Sequence, residues 1–270
     1  MNKPSKIFQD LPKALLGDTG IAVSRAGLGT VKLGRNQGVK YPHGFSLPTD
    51  TEAQNLLAIA KDSGINLLDT APAYGNSEIR LGQLLGNTRQ QWVICSKAGE
   101  EFDSRTGQSR YDFSAPAIRE SVARSLKRLK TDYIDIVLIH SDGRDMEIIE
   151  QYGALDTLAE LKRKGLIKAF GMSSKTIQGG LSTLAKADCA MVTYNLKETQ
   201  EREVIEAAHK LNKGILVKKV FASGHAISST QIQQTFNALY QMPGVTSTIL
   251  GTLNSAHLRN NLEVIAEALS

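Results

Sequence analysis

Four residues of proton-handling type stand where apolar runs end or just beyond. Asp69 closes INLLD, Lys97 closes WVICSK and His140 closes IDIVLIH. Tyr74 follows Asp69 by five positions, inside the turn-forming stretch TAPAYGNSE. A carboxylate, an ammonium, an imidazole and a phenol are the side chains of general acid–base work. Other apolar runs also end in polar residues or a Gly-Thr pair: Ser173-Ser174, Tyr194-Asn195, Lys218-Lys219 and Gly251-Thr252. Taken singly, each has an ordinary explanation. An Asp after a strand caps a turn, and a lone Lys snorkels from a rim. A His behind four apolar residues is usually a satisfied core residue, and a lone Tyr packs with its hydroxyl in water. Those explanations would have to coincide at consecutive run ends, so the shared placement favours chemistry.

The elements that must position these residues alternate along the chain. Short, almost wholly apolar runs predict strands over 25–30, 65–69, 92–97, 134–140, 167–172, 189–193, 214–219 and 245–250. Such runs suit strands covered on both faces. Amphipathic patterns predict helices over 50–63, 77–86, 115–129, 147–164, 175–186, 200–212, 228–241 and 255–268. Thr49 with Glu52 has capping-box spacing, and Ser114 precedes Ala115-Pro116 as a cap before a first-turn proline. Gly64, Gly165 and Gly214 stand where helices should stop. Eight strand–helix alternations point to a (β/α)8 barrel or a doubly wound sheet. In a barrel all strand ends meet at one rim, where active sites sit. The opening LPKALLGDTGIAVS has a central Asp-Thr-Gly turn and predicts a β-hairpin that could plug the barrel bottom. No linker or composition break divides residues 1–270, which reads as a single domain. Loops 33–48 and 98–114 are long, polar and marked by Gly or Pro, as site-bordering loops often are.

Composition excludes several classes. The chain of 270 residues is 41% hydrophobic and 22% charged, an ordinary globular balance. The net charge of +5 is mildly basic. Its clusters, Lys127-Arg128-Lys130 and Lys162-Arg163-Lys164, fall near helix ends, where cations oppose the macrodipole. With one Trp and no basic–aromatic interleaving, nucleic-acid binding has no support. No run approaches membrane-span length, and the N-terminus has no apolar signal segment. Cys95 and Cys189 read as core thiols, with no metal-ligand spacing, which suits a cytoplasmic setting.

The chain resembles the aldo-keto reductase superfamily over nearly its full length. The resemblance is carried by GDTGIAVSRAGLGT, INLLDTAPAYGNSE, the Lys of VICSKAG, VLIHS, KGLIKAFGMSS, TYN and ILGTLNSAHLRNN. It implies a (β/α)8 TIM barrel with an N-terminal β-hairpin and NAD(P)-dependent reduction of a small-molecule aldehyde or ketone. It also implies a catalytic tetrad of Asp69, Tyr74, Lys97 and His140. Hydride arriving at a carbonyl carbon leaves an alkoxide that needs a proton. A phenol, with a pKa of about 10, is a poor donor near neutrality. A lysine cation beside it favours phenolate and eases the proton off. Asp69 would supply the counter-charge that a buried ammonium needs. His140 would donate a ring N–H to the carbonyl oxygen.

No GxGxxG is present, so a Rossmann cofactor site is not indicated. The resemblance implies instead a dinucleotide extended across the barrel mouth, with NADP by family habit and NAD possible. Implied contacts are Gly29, Thr30, Ser173, Ser174, Lys218, Lys219, Phe221, Gly251, Thr252, Asn254, His257 and Asn261. Ser173 and Ser174 would hold the carboxamide, Asn261 the adenine end, and the N–H groups of the last helix a phosphate. Several positions depart from the commoner pattern. Ser174 stands for a frequent Asn, Met191 for a Gln, and Lys218 for an aromatic that stacks on the nicotinamide. Gly251 stands for a Lys and His257 for an Arg that clamps the 2′-phosphate, with Arg259 a candidate replacement. The chain ends soon after the last helix, which implies an open pocket walled by loops 33–48 and 98–114. Tyr41, His43, Phe45, Phe102 and Tyr111 are candidate substrate contacts there. Two rival readings are a nicotinamide-binding sensor with weak catalysis and a Schiff-base aldolase using Lys97.

Overall fold

The computed structural model describes residues 11–39, 44–221 and 228–270. Strands β1 (Lys13–Leu15) and β2 (Ala22–Ser24) pair antiparallel as the expected hairpin. Its Thr19 hydroxyl donates to Leu16 O at 2.8 Å and closes the turn. The chain then builds a closed parallel barrel. Its strands are β3 (Ala26–Gly29), β4 (Leu67–Asp69), β5 (Val93–Ala98), β8 (Ile134–His140), β9 (Ile167–Ser173), β10 (Cys189–Thr193), β11 (Gly214–Lys218) and β12 (Ser247–Leu250). An antiparallel pair, β6 (Glu100–Asp103) and β7 (Gln108–Tyr111), leaves the ring after β5.

The helices are α1 (Val31–Gly34), α2 (Asp50–Asp62), α3 (Ser77–Leu84), α4 (Ala115–Leu129), α5 (Asp145–Glu150), α6 (Ala154–Arg163), α7 (Ile177–Lys186), α8 (Arg202–Lys210), α9 (Ser229–Tyr240) and α10 (Ser255–Leu269). None is long and apolar enough to cross a membrane, among the described residues. The Thr49 capping box forms as expected at the start of α2.

Two apolar cores follow from the two faces of each strand. The outward faces pack on helices around Leu28, Leu68, Ile94, Val137, Ile139 and Val217. The inward faces form a separate interior cluster from Leu67, Cys95, Ile136, Leu138, Ala169, Cys189, Met191, Leu216 and Ile249. Leu16, Ile21 and Val23 of the hairpin region join that interior cluster and close the barrel bottom. Both cysteines are free and buried.

Side chains alternate along a strand with period two. Counting upward from the interior layer therefore gives Asp69 after Leu67, Lys97 after Cys95, and His140 after Leu138. Ser173 follows by the same parity from Ala169, Thr193 from Met191 and Lys218 from Leu216. Parallel register links them around the rim: Gly29 opposes Asp69, His140 opposes Ser173, and Thr193 opposes Lys218. A polar ring thus sits on an apolar plug, at the carboxyl ends of the strands.

Four local expectations are corrected. The helix expected over 147–164 is two, α5 and α6, because Gly153 adopts φ +59 between them and breaks the run. The loop 98–114 contains the β6–β7 hairpin. Gly214 opens β11 rather than ending a helix, and Asn212 takes the left-handed position after α8 (φ +52). Ser114 is the N-cap residue of α4 with a proline in the first turn, as expected, yet its side chain makes no cap bond. The Asp112 carboxylate instead accepts from Ser114 N at 3.0 Å.

Candidate active site

Lys97 is the deepest charged side chain of the mouth, 1% exposed. Its Nζ donates to Asp69 Oδ1 at 2.5 Å and to Thr70 O at 3.0 Å. It also lies 4.7 Å from the centroid of the Tyr74 ring. Burial works against the cation, but Asp69, with Tyr74 behind it, more than offsets this. Lys97 accordingly holds its proton well above the ordinary lysine range. The Tyr74 hydroxyl donates to the other Asp69 oxygen, Oδ2, at 3.3 Å. One carboxylate therefore holds both the ammonium and the phenol.

Tyr74 ends a 3₁₀ turn, Pro72–Tyr74, that follows β4. The turn rests on α1. Asn76 N donates to Gly34 O at 3.2 Å, and a Cβ on Gly34 would come within 2.3 Å of Tyr74 O. Only glycine allows that approach, so the position of the phenol depends on Gly34 having no side chain.

His140 faces the Tyr74 ring edge-on, with centroids 6.2 Å apart. Its Nδ1 lies 2.8 Å from Glu100 Oε2, at ion-pair distance, but the two do not meet hydrogen-bond geometry. Burial holds the imidazole pKa below its ordinary value; Glu100 opposes this, while Lys97 and Lys218 reinforce it. Burial alone would raise the Glu100 carboxyl. His140, Ser109 and Arg35 outweigh it and hold the pKa at about 2, so the carboxylate is ionised. Glu100 escaped the sequence reading because it lies past the strand end. Gly99 turns the chain there at φ +103, over the Phe113 ring, and starts β6. Its one legible signal is a glutamate three residues after Lys97. Arg35 was also missed. It donates to Ala73 O at 2.9 Å, stacks on Phe102 at 3.8 Å and approaches Glu100 at 3.9 Å.

On the far side of the mouth, Lys218 Nζ donates to Ser173 Oγ at 2.7 Å and to Ser174 O at 3.0 Å. Burial lowers its pKa to about 8; Glu201 opposes this, and Lys219, Lys97 and Lys175 add to it. Glu201 itself accepts from Thr193 N at 2.7 Å.

A cavity of about 800 Å³ joins these groups. Of the residues expected from sequence, it brings together Asp69, Tyr74, Lys97, His140, Gly29, Ser173, Lys218, Lys219, Phe221 and Gly251, along with Met191 and Tyr111. It does not bring in the others. Thr30 is fully buried, its hydroxyl donating to Asp69 O at 2.9 Å. Ser174 points by strand parity to the helix side, where its hydroxyl donates to Glu201 at 3.4 Å. Thr252, Asn254, His257 and Asn261 lie beyond the cavity lining. The start of α10, expected to offer N–H groups to a phosphate, is already capped: Asn254 Oδ1 accepts from Ala256 N and His257 N. Tyr41 and His43 lie outside the described residues. A nicotinamide dinucleotide fits the residues present, because one cavity runs from Tyr74, Lys97 and His140 to Gly251 past the Ser173 hydroxyl and two lysines. No group of His, Cys, Asp and Glu able to hold a metal occurs among the described residues.

Known proteins share this fold. The solved structure of PA4992 from Pseudomonas aeruginosa, described as "the putative aldo-keto reductase", superposes with a TM-score of 0.89 at 53% identity. The match covers 98% of this chain and 100% of that one. The Bacillus subtilis oxidoreductase YqkF is 34% identical over 164 residues, 60% of this chain and 48% of that protein. The NADH-specific methylglyoxal reductase of Escherichia coli is 35% identical over 175 residues, 61% of this chain and 52% of that protein. The matched stretches therefore span about half the length of these two curated relatives. A family model described as "Aldo/keto reductase family" matches residues 25–238, and by that match and the barrel that carries it the chain belongs to the aldo/keto reductase family.

Proposed function

We propose that this protein is an oxidoreductase that reversibly reduces an aldehyde or ketone to an alcohol, with Tyr74 as the proton donor. The observation that carries the reading is a buried ammonium, Lys97, sharing the Asp69 carboxylate with the Tyr74 phenol. Bound NAD(P)H would supply the hydride. The chain's own residues do the rest. Tyr74 gives its phenolic proton to the oxygen of the reduced carbonyl. The charge left on the phenolate is met by Lys97, which needs no rearrangement because Asp69 and Thr70 O already hold it. Met191, Ile249 and the apolar plug below keep the floor of the mouth dry, which strengthens the interaction.

Gly29, Ser173, Lys218, Lys219, Phe221 and Gly251 are the residues that would hold the dinucleotide. NADP is the cofactor we expect, and the Escherichia coli relative makes NADH the alternative to test. A Schiff-base aldolase needs a neutral lysine nucleophile. Lys97, kept protonated by Asp69, does not supply one.

Fluorescence titration with NADPH and NADH tests the cofactor half of the proposal. Saturable binding of either supports it, and binding of neither would sink it. A panel of aldehydes and ketones, followed by nicotinamide absorbance, tests the reaction; tight binding without turnover would point to a sensor instead.

A further inference from the structure

We propose that Lys218 is a covalent capture site for aldehydes: its ε-amine forms an imine with a carbonyl compound that enters the mouth, and the adduct bars the dinucleotide. The second half rests on the reading above, in which Lys218 helps to hold the dinucleotide. The first half does not.

Lys97 and Lys218 both stand near the carboxyl ends of their strands and line one cavity. Their partners differ. Lys97 touches a carboxylate oxygen, Asp69 Oδ1, at 2.5 Å. Among the described residues, Lys218 Nζ donates only to neutral oxygens, Ser173 Oγ at 2.7 Å and Ser174 O at 3.0 Å. Glu201, the carboxylate that faces it, spends its oxygens elsewhere. Its Oε2 accepts from Thr193 N at 2.7 Å and its Oε1 from the Ser174 hydroxyl at 3.4 Å. The other charged groups around Lys218 are cations: Lys97 from β5, Lys175 after β9, and Lys219 next in the chain. His140 from β8 also faces it, and burial keeps that imidazole toward its neutral form. Burial is the largest influence on Lys218, Glu201 opposes it, and the cations add to it, so that the amine becomes available at about pH 8.

Hydrogen-bond accounting then decides what the nitrogen offers. A neutral amine has two N–H groups and one lone pair. Ser173 Oγ and Ser174 O take the two N–H groups. The lone pair is left for a molecule in the cavity. Lys97 has no such lone pair to give, because Asp69 keeps it protonated. In the capture step the lone pair of Lys218 attacks the carbonyl carbon, and the π pair of C=O passes to oxygen. The carbinolamine loses water, which carries off the carbonyl oxygen and both amine hydrogens. A C=N bond replaces C=O, with no change of oxidation state and no further reactant. The imine stands beside Ser173, where the dinucleotide would lie. Excess aldehyde thus holds back the protein that has not yet bound its cofactor.

The test uses the wild-type protein without dinucleotide, propanal as the aldehyde and cyanoborohydride to fix the imine as a propyl amine. Peptide mass mapping near neutral pH then gives the rate at each lysine. Lys218 should be marked about tenfold faster than a model lysine peptide in the same tube, because its larger neutral fraction outweighs the weaker nucleophilicity of a less basic amine. Lys97 should stay unmarked. A mark at Lys218 no faster than on the model peptide overturns the capture site, as does a fast mark on Lys97 in its place. No variant has to fold for either result; in Lys218→Met the early adduct should vanish from the intact mass. Adding NADP+ or NAD+, whichever binds, should slow the mark at Lys218 and leave the model peptide unaffected. Binding without that protection overturns the claim that the adduct bars the dinucleotide. If neither dinucleotide binds, the underlying reading falls, while the rate at Lys218 still decides the imine.

Discussion

The two ends of this barrel carry similar ion pairs put to different uses. At the bottom, Arg89 pairs with Asp135 at 2.8 Å, with side chains 9% and 6% exposed. At the mouth, Lys97 pairs with Asp69, with side chains 1% and 6% exposed. Burial does not distinguish them. Their remaining partners do. Arg89 donates to Trp92 O at 2.8 Å and Tyr133 O at 3.1 Å, while Asp135 accepts from Ile94 N at 3.0 Å and from Lys168 Nζ at 3.2 Å. That pair ties strand beginnings to the turn before them. Lys97 and Asp69 instead meet a phenol that lines an open cavity. A buried ion pair is weak evidence of function by itself. What matters is whether a reactive group that lines a cavity, here the Tyr74 phenol, is among its partners.

The comparison can be broken by experiment, the largest effect first. Tyr74→Phe should cost about 10²–10⁴-fold in turnover, the usual scale of a general acid, while dinucleotide affinity and unfolding midpoint stay put. Unchanged turnover would remove the phenol from the chemistry. Asp135→Ala should do the converse. Stranding Arg89 should lower stability by about 3–5 kcal/mol in urea titration, with turnover per folded molecule retained. A smaller cost than that of Asp69→Ala would contradict the structural role assigned to the lower pair.

A third test separates the two sides of the mouth. If Lys218 meets an anionic part of the cofactor, dinucleotide affinity should fall as pH rises through about 8, where Lys218 loses its charge. The change should be about tenfold, and Lys218→Met should flatten it. Stability runs the other way. The folded pKa lies below the unfolded lysine value of about 10.4, so the unfolded chain binds more protons in that window and folding gains as pH rises from about 8 to 10.4. An affinity profile flat in the wild type would leave Lys218 as a brace for Ser173. Smallest is Thr49→Ala, which opens the capping box of α2 and should cost about 1 kcal/mol in the same urea assay, with no effect on the mouth.

Much of this molecule was legible in the chain. Apolar runs punctuated by Gly, Pro and amphipathic segments marked the barrel strands, since local pattern sets strand and helix directly. Asp69, Lys97 and His140 stood out because charge is expensive in such runs unless it is used. Other features escaped for physical reasons. The break at Gly153 was hidden by apolar spacing that suits one helix or two. Glu100 lay beyond a turn at Gly99, and Arg35, the residue after α1, reached the site by stacking on Phe102.

The sequence by itself determined which residues could form the polar ring, because strand ends and residue types are local properties. Only the tertiary structure decided who faces whom. Pleat parity sent Ser173 into the cavity and Ser174 to Glu201, one residue apart. Barrel closure brought Lys218 to Ser173, and the turn after β5 brought Glu100 to His140. Those pairings depend on register and on backbone direction summed over the whole ring, and no single stretch of the chain encodes either.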